Sequence, residues 1–568
     1  MPKIEVLTET FYQSIGQTYT DEQLEEILPS AKAELDGKDE DAGILKIELN
    51  DTNRPDLWSS AGLVRQLRTY TGTKPPFYDF FSNENEEFEC GDRVVEVDPN
   101  LKDIRPFITA FAVTGKKIDD TVLKDIIQTQ EKLCWNFGRK RRSIAMGIYR
   151  NDLISYPVKY TAADPDTTKF IPLQMDEELS LREINAQHPK GKEFGHIVSN
   201  FPLYPFLTDT EGQVLSFPPV INSARIGAVQ VGDSELFIEL TGTVHKDLIL
   251  AASIIACDFA DAGFTILPVK VVYPYETEFG NEVVTPYYFQ EPVSAELTYI
   301  NKLLGMELSP EEAVEALQRM GVYAIYDDGS IFVTVPEYRN DFLHPVDIIE
   351  DVLIGHGLEK FAPVMPDSFT LGRLTKEEEF ARKVKDIMIG LGFQEMMYNY
   401  LGSRKDYITR MNVDGSEYIQ IANPMTENYE FVRASIIPSM MQSESVSGNA
   451  VYPHNIFEVG KVAFLDDDDN SGTVTRNTLG FMTADSEVGF NQINNTVSAV
   501  MYYLKREYTL VELDDPKFIP GRCAVVQVDG CQVGVFGEVH PIVLENWGIQ
   551  MPTVVCEIDL DLLLNADS

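Results

Sequence analysis

The segment LILAASIIAC (248–257) is the longest apolar stretch of the chain. It is about half the length that a membrane-crossing helix needs, so it reads as a buried helix. A helix without a polar face needs protein on all sides. The 568 residues can supply it, and at about 150 residues per domain the length suggests about four domains. Disorder requires low hydrophobicity together with high net charge; with 44% hydrophobic residues only the second condition is met.

The charge is strongly one-sided. Against 47 Lys and Arg stand 90 Asp and Glu, a net charge of −43. This speaks against a protein that coats nucleic acid through a global positive field, though a local basic patch stays open. Six cysteines without a C-x-x-C pair argue against a structural zinc site or a disulfide framework. The N-terminus MPKIEVLTETF lacks the apolar core of a signal peptide. The expectation is a cytoplasmic protein with no membrane association.

Four textures divide the chain into residues 1–85, 86–275, 276–365 and 366–568, an α+β multidomain organisation. KIELN (46–50) reads as a strand, and SNENEEFE (82–89) as an acidic linker. RPFITAFAVTG (105–115) alternates like a strand, while LKDIIQTQEKLCWNFG (123–138) has helical spacing. Thr375 and Glu378 form a candidate capping box for a helix that Gly392 ends.

The segment EYRNDFLHPVDIIEDVLIGHGLEKF (337–361) carries the most chemical information. From Asp347 it reads as a helix with Ile348, Ile349, Val352 and Leu353 on one face. Asp347, Glu350 and Asp351 share the other, and a turn at His344-Pro345 lets Asp341 fold back as a fourth carboxylate. Such a group repels itself unless a cation sits among it, and hard oxygen donors suit Mg2+. Arg339 and the helix N-terminus offer the alternative neutralisation.

This segment, and several others in the same order, resemble the phenylalanyl-tRNA synthetase β subunit family. ELNDTNRPDLWSSAGLVRQL (48–67) is similar to its N-terminal Asn-Arg-Pro-Asp-Leu segment. MGIYRNDLI (146–154), HPKGKEFGHIV (188–198) and FPPVINS (217–223) resemble its editing module. NPMTENYEFVRASIIPSMM (423–441), IFEVGKV (456–462) and FIPGRCAVVQVDGCQVGVFGEVHP (518–541) resemble its C-terminal domain. The short length points to the archaeal and eukaryotic type.

The resemblance implies an N-terminal α/β module and a mixed editing domain. A small helical or winged-helix-like domain with the magnesium motif follows. Last comes a catalytically inactive class II synthetase-like domain, an antiparallel sheet with helices. It implies Mg2+ on Asp341, Asp347, Glu350 and Asp351, shared with an α subunit; the last family position is often Glu. It also implies an α2β2 assembly that joins phenylalanine to tRNA(Phe) with ATP, with the active site on α. In this chain Arg433 lacks the acidic neighbour of a nucleotide-clamping arginine, and no Gly-rich phosphate loop is present, which fits a structural role.

For editing, Asn222, Ser223, Glu239 and Thr241 are the candidates, with Phe237, Glu239 and Thr241 on one face of a strand. Glu239 stands where the family typically has Asp. The basic run FGRKRR (137–142), beside Trp135, makes Arg139, Lys140, Arg141 and Arg142 candidates for contact with a single-stranded tRNA end. The rival readings are a free-standing hydrolase of mischarged tRNA and an interaction scaffold whose editing site has decayed.

Overall fold

The computed structural model describes residues 2–51, 53–72, 74–83 and 88–566. The middle of the acidic segment 82–89 lies outside the described residues. The chain divides into two compact units, Met1–Val364 and Met365–Ser568.

In the first unit the apolar stretch is the middle of a helix, His245–Asp261, in which Leu248 to Cys257 are all buried. It lies against a ten-stranded sheet. One half of the sheet sets Thr265–Val272, Phe107–Thr114, Leu236–Gly242 and Ile144–Arg150 side by side and antiparallel. The other half continues through Val94–Val97, Val158–Ala163, Tyr204–Thr208 and Val214–Phe217 to Ile221–Asn222. Val94–Val97 pairs parallel on both its sides. Because strand side chains alternate, each strand feeds two cores. Phe111, Val113, Ile238 and Leu240 pack with Leu248, Ala251 and Ile255 of the helix. Ile108, Ala110, Tyr149 and Phe237 pack on the opposite side with Tyr160, Leu215 and Val269. The sheet is nearly closed, since Tyr149 on one edge strand touches Ser216 close to the other edge.

A three-stranded antiparallel sheet precedes it, with Ile44–Leu49 between Lys3–Leu7 and Ala33–Asp39. The helix Ser60–Tyr70 begins at Ser59, whose hydroxyl accepts from Gly62 N at 2.9 Å. Its Arg65 is buried and reaches Asp258 and Asp261, 2.6 Å each, while stacking on the Tyr338 ring. Residues 293–356 form a small three-stranded antiparallel sheet with helices Leu297–Leu304, Pro310–Arg319 and Pro345–His356. Ser309 and Glu312 cap the second of these reciprocally, with Pro310 at the first position, where its missing N–H costs nothing.

The second unit is a seven-stranded sheet, antiparallel apart from the pairing of Gln394–Glu395 with His454–Leu465. Helices Lys376–Gly390 and Phe490–Leu504 cover one face through Val384, Met388, Val497 and Met501. Ile437–Ser445 and Pro541–Trp547 cover the other. Thr375 caps Lys376–Gly390 through Glu378 N at 3.3 Å. The fold is a mixed α/β multidomain one. Among the described residues no helix is long and apolar enough to cross a membrane.

Candidate functional site

Glu239 occupies the middle of the strand Leu236–Gly242, on the face it shares with Phe237 and Thr241. Its cross-strand partner is Gly147, and that glycine has a physical reason. A Cβ at position 147 would sit 2.6 Å from Glu239 Oε1 and also collide with the Tyr149 hydroxyl. The gap lets the Tyr149 ring lie across the strand and donate to Glu239 Oε1 at 2.7 Å. Tyr149 Oη also lies 2.8 Å from Ser216 Oγ. A phenol has one proton, so if Tyr149 donates to Glu239, Ser216 donates to Tyr149.

The second carboxylate oxygen, Oε2, is buried without a hydrogen-bond donor. Burial pushes the Glu239 carboxyl up to about 7, against the opposing influence of the Tyr149 hydrogen bond and the Arg105 charge. Such a group changes charge near neutral pH and keeps one buried oxygen without a donor.

Below it, the fully buried Arg105 donates from Nε to Thr241 Oγ1 at 2.9 Å and from Nη1 to the Arg142 carbonyl at 3.0 Å. Thr241 is therefore engaged by protein. Asn222 lies opposite Ser216 in the strand pairing, which places it beside the Ser216–Tyr149–Glu239 chain. Ser223 is turned to a local task, accepting from Ile226 N at 3.3 Å. Tyr149, Ser216 and Arg105 carry no motif that marks them in the sequence. Tyr149 falls in a segment that resembles the editing module and Ser216 immediately precedes another, but their roles depend on strand register.

The four basic residues split into two groups. Arg139, Lys140 and Arg141 have φ values of 49°, 56° and 65°, three successive left-handed residues without a glycine. Each costs roughly 1–2 kcal/mol. The turn is held by backbone bonds from Lys140 N to Trp135 O and from Arg141 N to Cys134 O, both 2.9 Å. Arg141 is anchored: it donates to the carbonyls of Pro219 and Val220 and lies over the Phe194 ring. Arg139, Lys140 and Arg142 are exposed, with Lys140 over the half-exposed Trp135.

Asp347, Glu350 and Asp351 lie in the helix Pro345–His356, but each carboxylate meets a different partner and they do not converge on one point. Asp341 and Asp351 both bind the buried Arg339, with contacts of 2.6 Å each. Burial alone would raise the Asp341 carboxyl, but the Arg339 charge overrides it and holds the group well below its usual range. Asp347 Oδ2 accepts from the backbone N–H groups of Leu343 and His344 at 2.7 Å, closing the helix start. Glu350 is exposed and pairs with Lys32 at 3.1 Å. Arginine and the helix end thus supply the neutralisation. Among the described residues no group of three His, Cys, Asp or Glu is arranged to hold a metal ion. Asp341 and Asp351 as placed do not fit Mg2+, because a cation there would face Arg339.

In the second unit, the acidic partner of Arg433 comes from another strand. Glu458 binds its guanidinium through two contacts of 2.9 Å, and the pair is buried. An arginine so engaged has no free end for a phosphate.

Comparison with known proteins agrees with the residue-level resemblance. Residues 293–358 match the family model "tRNA synthetase B5 domain", and residues 362–560 match "Phenylalanyl tRNA synthetase beta chain CLM domain". The phenylalanine–tRNA ligase β subunit of Borrelia garinii subsp. bavariensis is 49% identical over 567 residues, and that of Borreliella burgdorferi strain ZS7 is 48% identical over 567 residues. Both alignments cover 100% of each chain. A solved N-terminal fragment of the phenylalanyl-tRNA synthetase β subunit from Pyrococcus horikoshii is 39% identical. It covers 63% of this chain and 100% of its own, with a TM-score of 0.58. The full-length relatives are bacterial, so they do not establish the archaeal and eukaryotic type that the short length suggests. Identity at this level along the whole chain shows that the protein belongs to the phenylalanine–tRNA ligase β subunit family, aminoacyl-tRNA synthetases that act as part of a complex.

Proposed function

We propose that this β subunit provides scaffold and proofreading for the ligase. Its partner is an α subunit that carries the ATP and phenylalanine sites in a cytoplasmic α2β2 assembly, and its own site hydrolyses tRNA(Phe) mischarged with tyrosine. The observation that carries the proofreading role is the buried Glu239 carboxyl with Oε2 lacking a donor. Tyrosine and phenylalanine differ by one hydroxyl, and an apolar pocket rejects an added hydroxyl by only about 10². A buried acceptor left empty by phenylalanine penalises it by about 1–3 kcal/mol. Asn222 lines the approach through Ser216, Thr241 and Ser223 shape the walls, and the exposed Arg139, Lys140 and Arg142 receive the acceptor end. With no nucleophile–base pair beside Glu239, hydrolysis falls to a positioned water and the tRNA itself.

The Arg433–Glu458 pair favours ATP chemistry on the α subunit. Mg2+ belongs to the ligase reaction; Asp347 and Glu350, the less buried carboxylates of the motif, are the ones able to present an oxygen to it. The equal length of the relatives and the Pyrococcus fragment favour the short-form domain layout.

Reconstitution tests the reading. The chain with and without the α subunit is assayed for Phe-tRNA formation and Tyr-tRNA hydrolysis. Aminoacylation requires both, and Glu239→Ala abolishes clearance of Tyr-tRNA. Clearance by Glu239→Ala at the normal rate discards the site. One observation favours a second reading, a scaffold with a decayed site: Glu239 Oε1 already receives a phenol from the chain's own Tyr149. Absence of hydrolysis in every mixture selects it.

A further inference from the structure

The Tyr149 phenol sits on the same carboxylate that a substrate phenol would use. We propose that Tyr149 is a positioning residue of the editing site: held by Ser216, it occupies Glu239 Oε1 and so reserves Oε2 for the hydroxyl of a mischarged tyrosyl group. The inference rests on the proofreading reading above.

Three observations carry it. Tyr149 Oη lies 2.8 Å from Ser216 Oγ and 2.7 Å from Glu239 Oε1; with its single proton on the carboxylate, the Ser216 hydroxyl is the group that donates to it. All three residues are buried, so the arrangement is fixed by packing and not by solvent. Gly147 directly opposite Glu239 is the only residue type that leaves room for the Tyr149 hydroxyl there. A carboxylate with two unbound oxygens could rotate between acceptors. One with a permanent donor on Oε1 presents the other oxygen in a single orientation, and preorganisation of this kind raises selectivity without a new contact to the substrate.

The charged and titratable groups that influence Glu239, or are influenced by it, are Arg105, Tyr149, Tyr160 and Cys134. Arg105 and the Tyr149 hydrogen bond favour its ionised form and burial opposes it. Loss of the Tyr149 hydroxyl therefore moves the ionisation of Glu239 to higher pH.

The test uses the full chain with its α subunit. Hydrolysis of tRNA(Phe) charged with tyrosine, and separately with phenylalanine, is followed between about pH 5 and 9. Tyr149→Phe is expected to slow hydrolysis of the tyrosyl ester by about tenfold. It also shifts the acid limb of the profile upward and leaves the phenylalanyl ester unaffected. Ser216→Ala shifts the limb in the same direction by less, and it decides the matter if Tyr149→Phe does not fold. Wild-type rate and an unmoved acid limb in both variants overturn the role of Tyr149 while leaving proofreading intact. A wild-type complex that never hydrolyses the tyrosyl ester sinks proofreading and this inference together.

Discussion

Arg105 and Thr241, 136 residues apart, are joined by a 2.9 Å hydrogen bond between Nε and Oγ1. The same guanidinium binds the Arg142 carbonyl, so one buried side chain ties the candidate pocket to the end of the basic turn. Arg105→Met leaves several buried acceptors without a donor and is expected to cost about 3 kcal/mol or more. Arg105→Lys should not restore it, because an ammonium cannot reproduce the planar fork. Urea denaturation checks both; a loss below about 0.5 kcal/mol removes the structural role.

Glu239 gives a pH signature of stability. Its carboxyl is raised from the unfolded value of 4.5 to about 7 in the folded chain. Between those values the folded state holds a proton that the unfolded state has lost, so the contribution of this group to stability falls as pH rises through the window. Relative to Glu239→Gln, the native chain should lose stability from about pH 5 to 7.5. Parallel melting curves of the two proteins across that range contradict the assignment.

The basic turn should separate by side-chain environment. Arg141, bonded to the Pro219 and Val220 carbonyls, is structural, and Arg141→Ala should lower the melting temperature. Replacing Arg139, Lys140 and Arg142 with Gln should leave melting within about 2 °C but weaken tRNA hydrolysis and flatten its salt dependence. Unchanged salt dependence excludes these side chains from tRNA contact.

Asp351 and Asp341 serve Arg339. Asp351→Ala leaves Arg339 Nη1 without its carboxylate partner while Asp341 still holds the rest of the buried guanidinium, and is expected to destabilise the chain by about 1–3 kcal/mol. The loss should be the same with Mg2+ or with a chelator, as read by thermal unfolding. A loss seen only in Mg2+ would return these two residues to metal binding.

Local periodicity made much of this legible. The burial of Ile348, Ile349 and Val352 follows from spacing, and the buried helix follows from LILAASIIAC. The helical wheel also placed Asp351 on the outer face. It could not show that Arg339 folds over that face and buries the carboxylate, since this depends on the path of residues 339–344. Tyr149 was hidden for a similar reason: its meeting with Glu239 follows from pairing two strands 90 residues apart in one register. Arg433 has no acidic neighbour in sequence, and its partner Glu458 lies 25 positions away.

Arg65 adds a consequence for the order of synthesis. Its two carboxylate partners lie 193 and 196 residues further along, and the ring beneath it belongs to Tyr338. While the chain is still emerging from the ribosome, the Ser60–Tyr70 helix carries a cation whose burial site does not yet exist. Its docking must wait for the later strands and helices. The N-terminal sheet therefore completes its packing late, although it is made first.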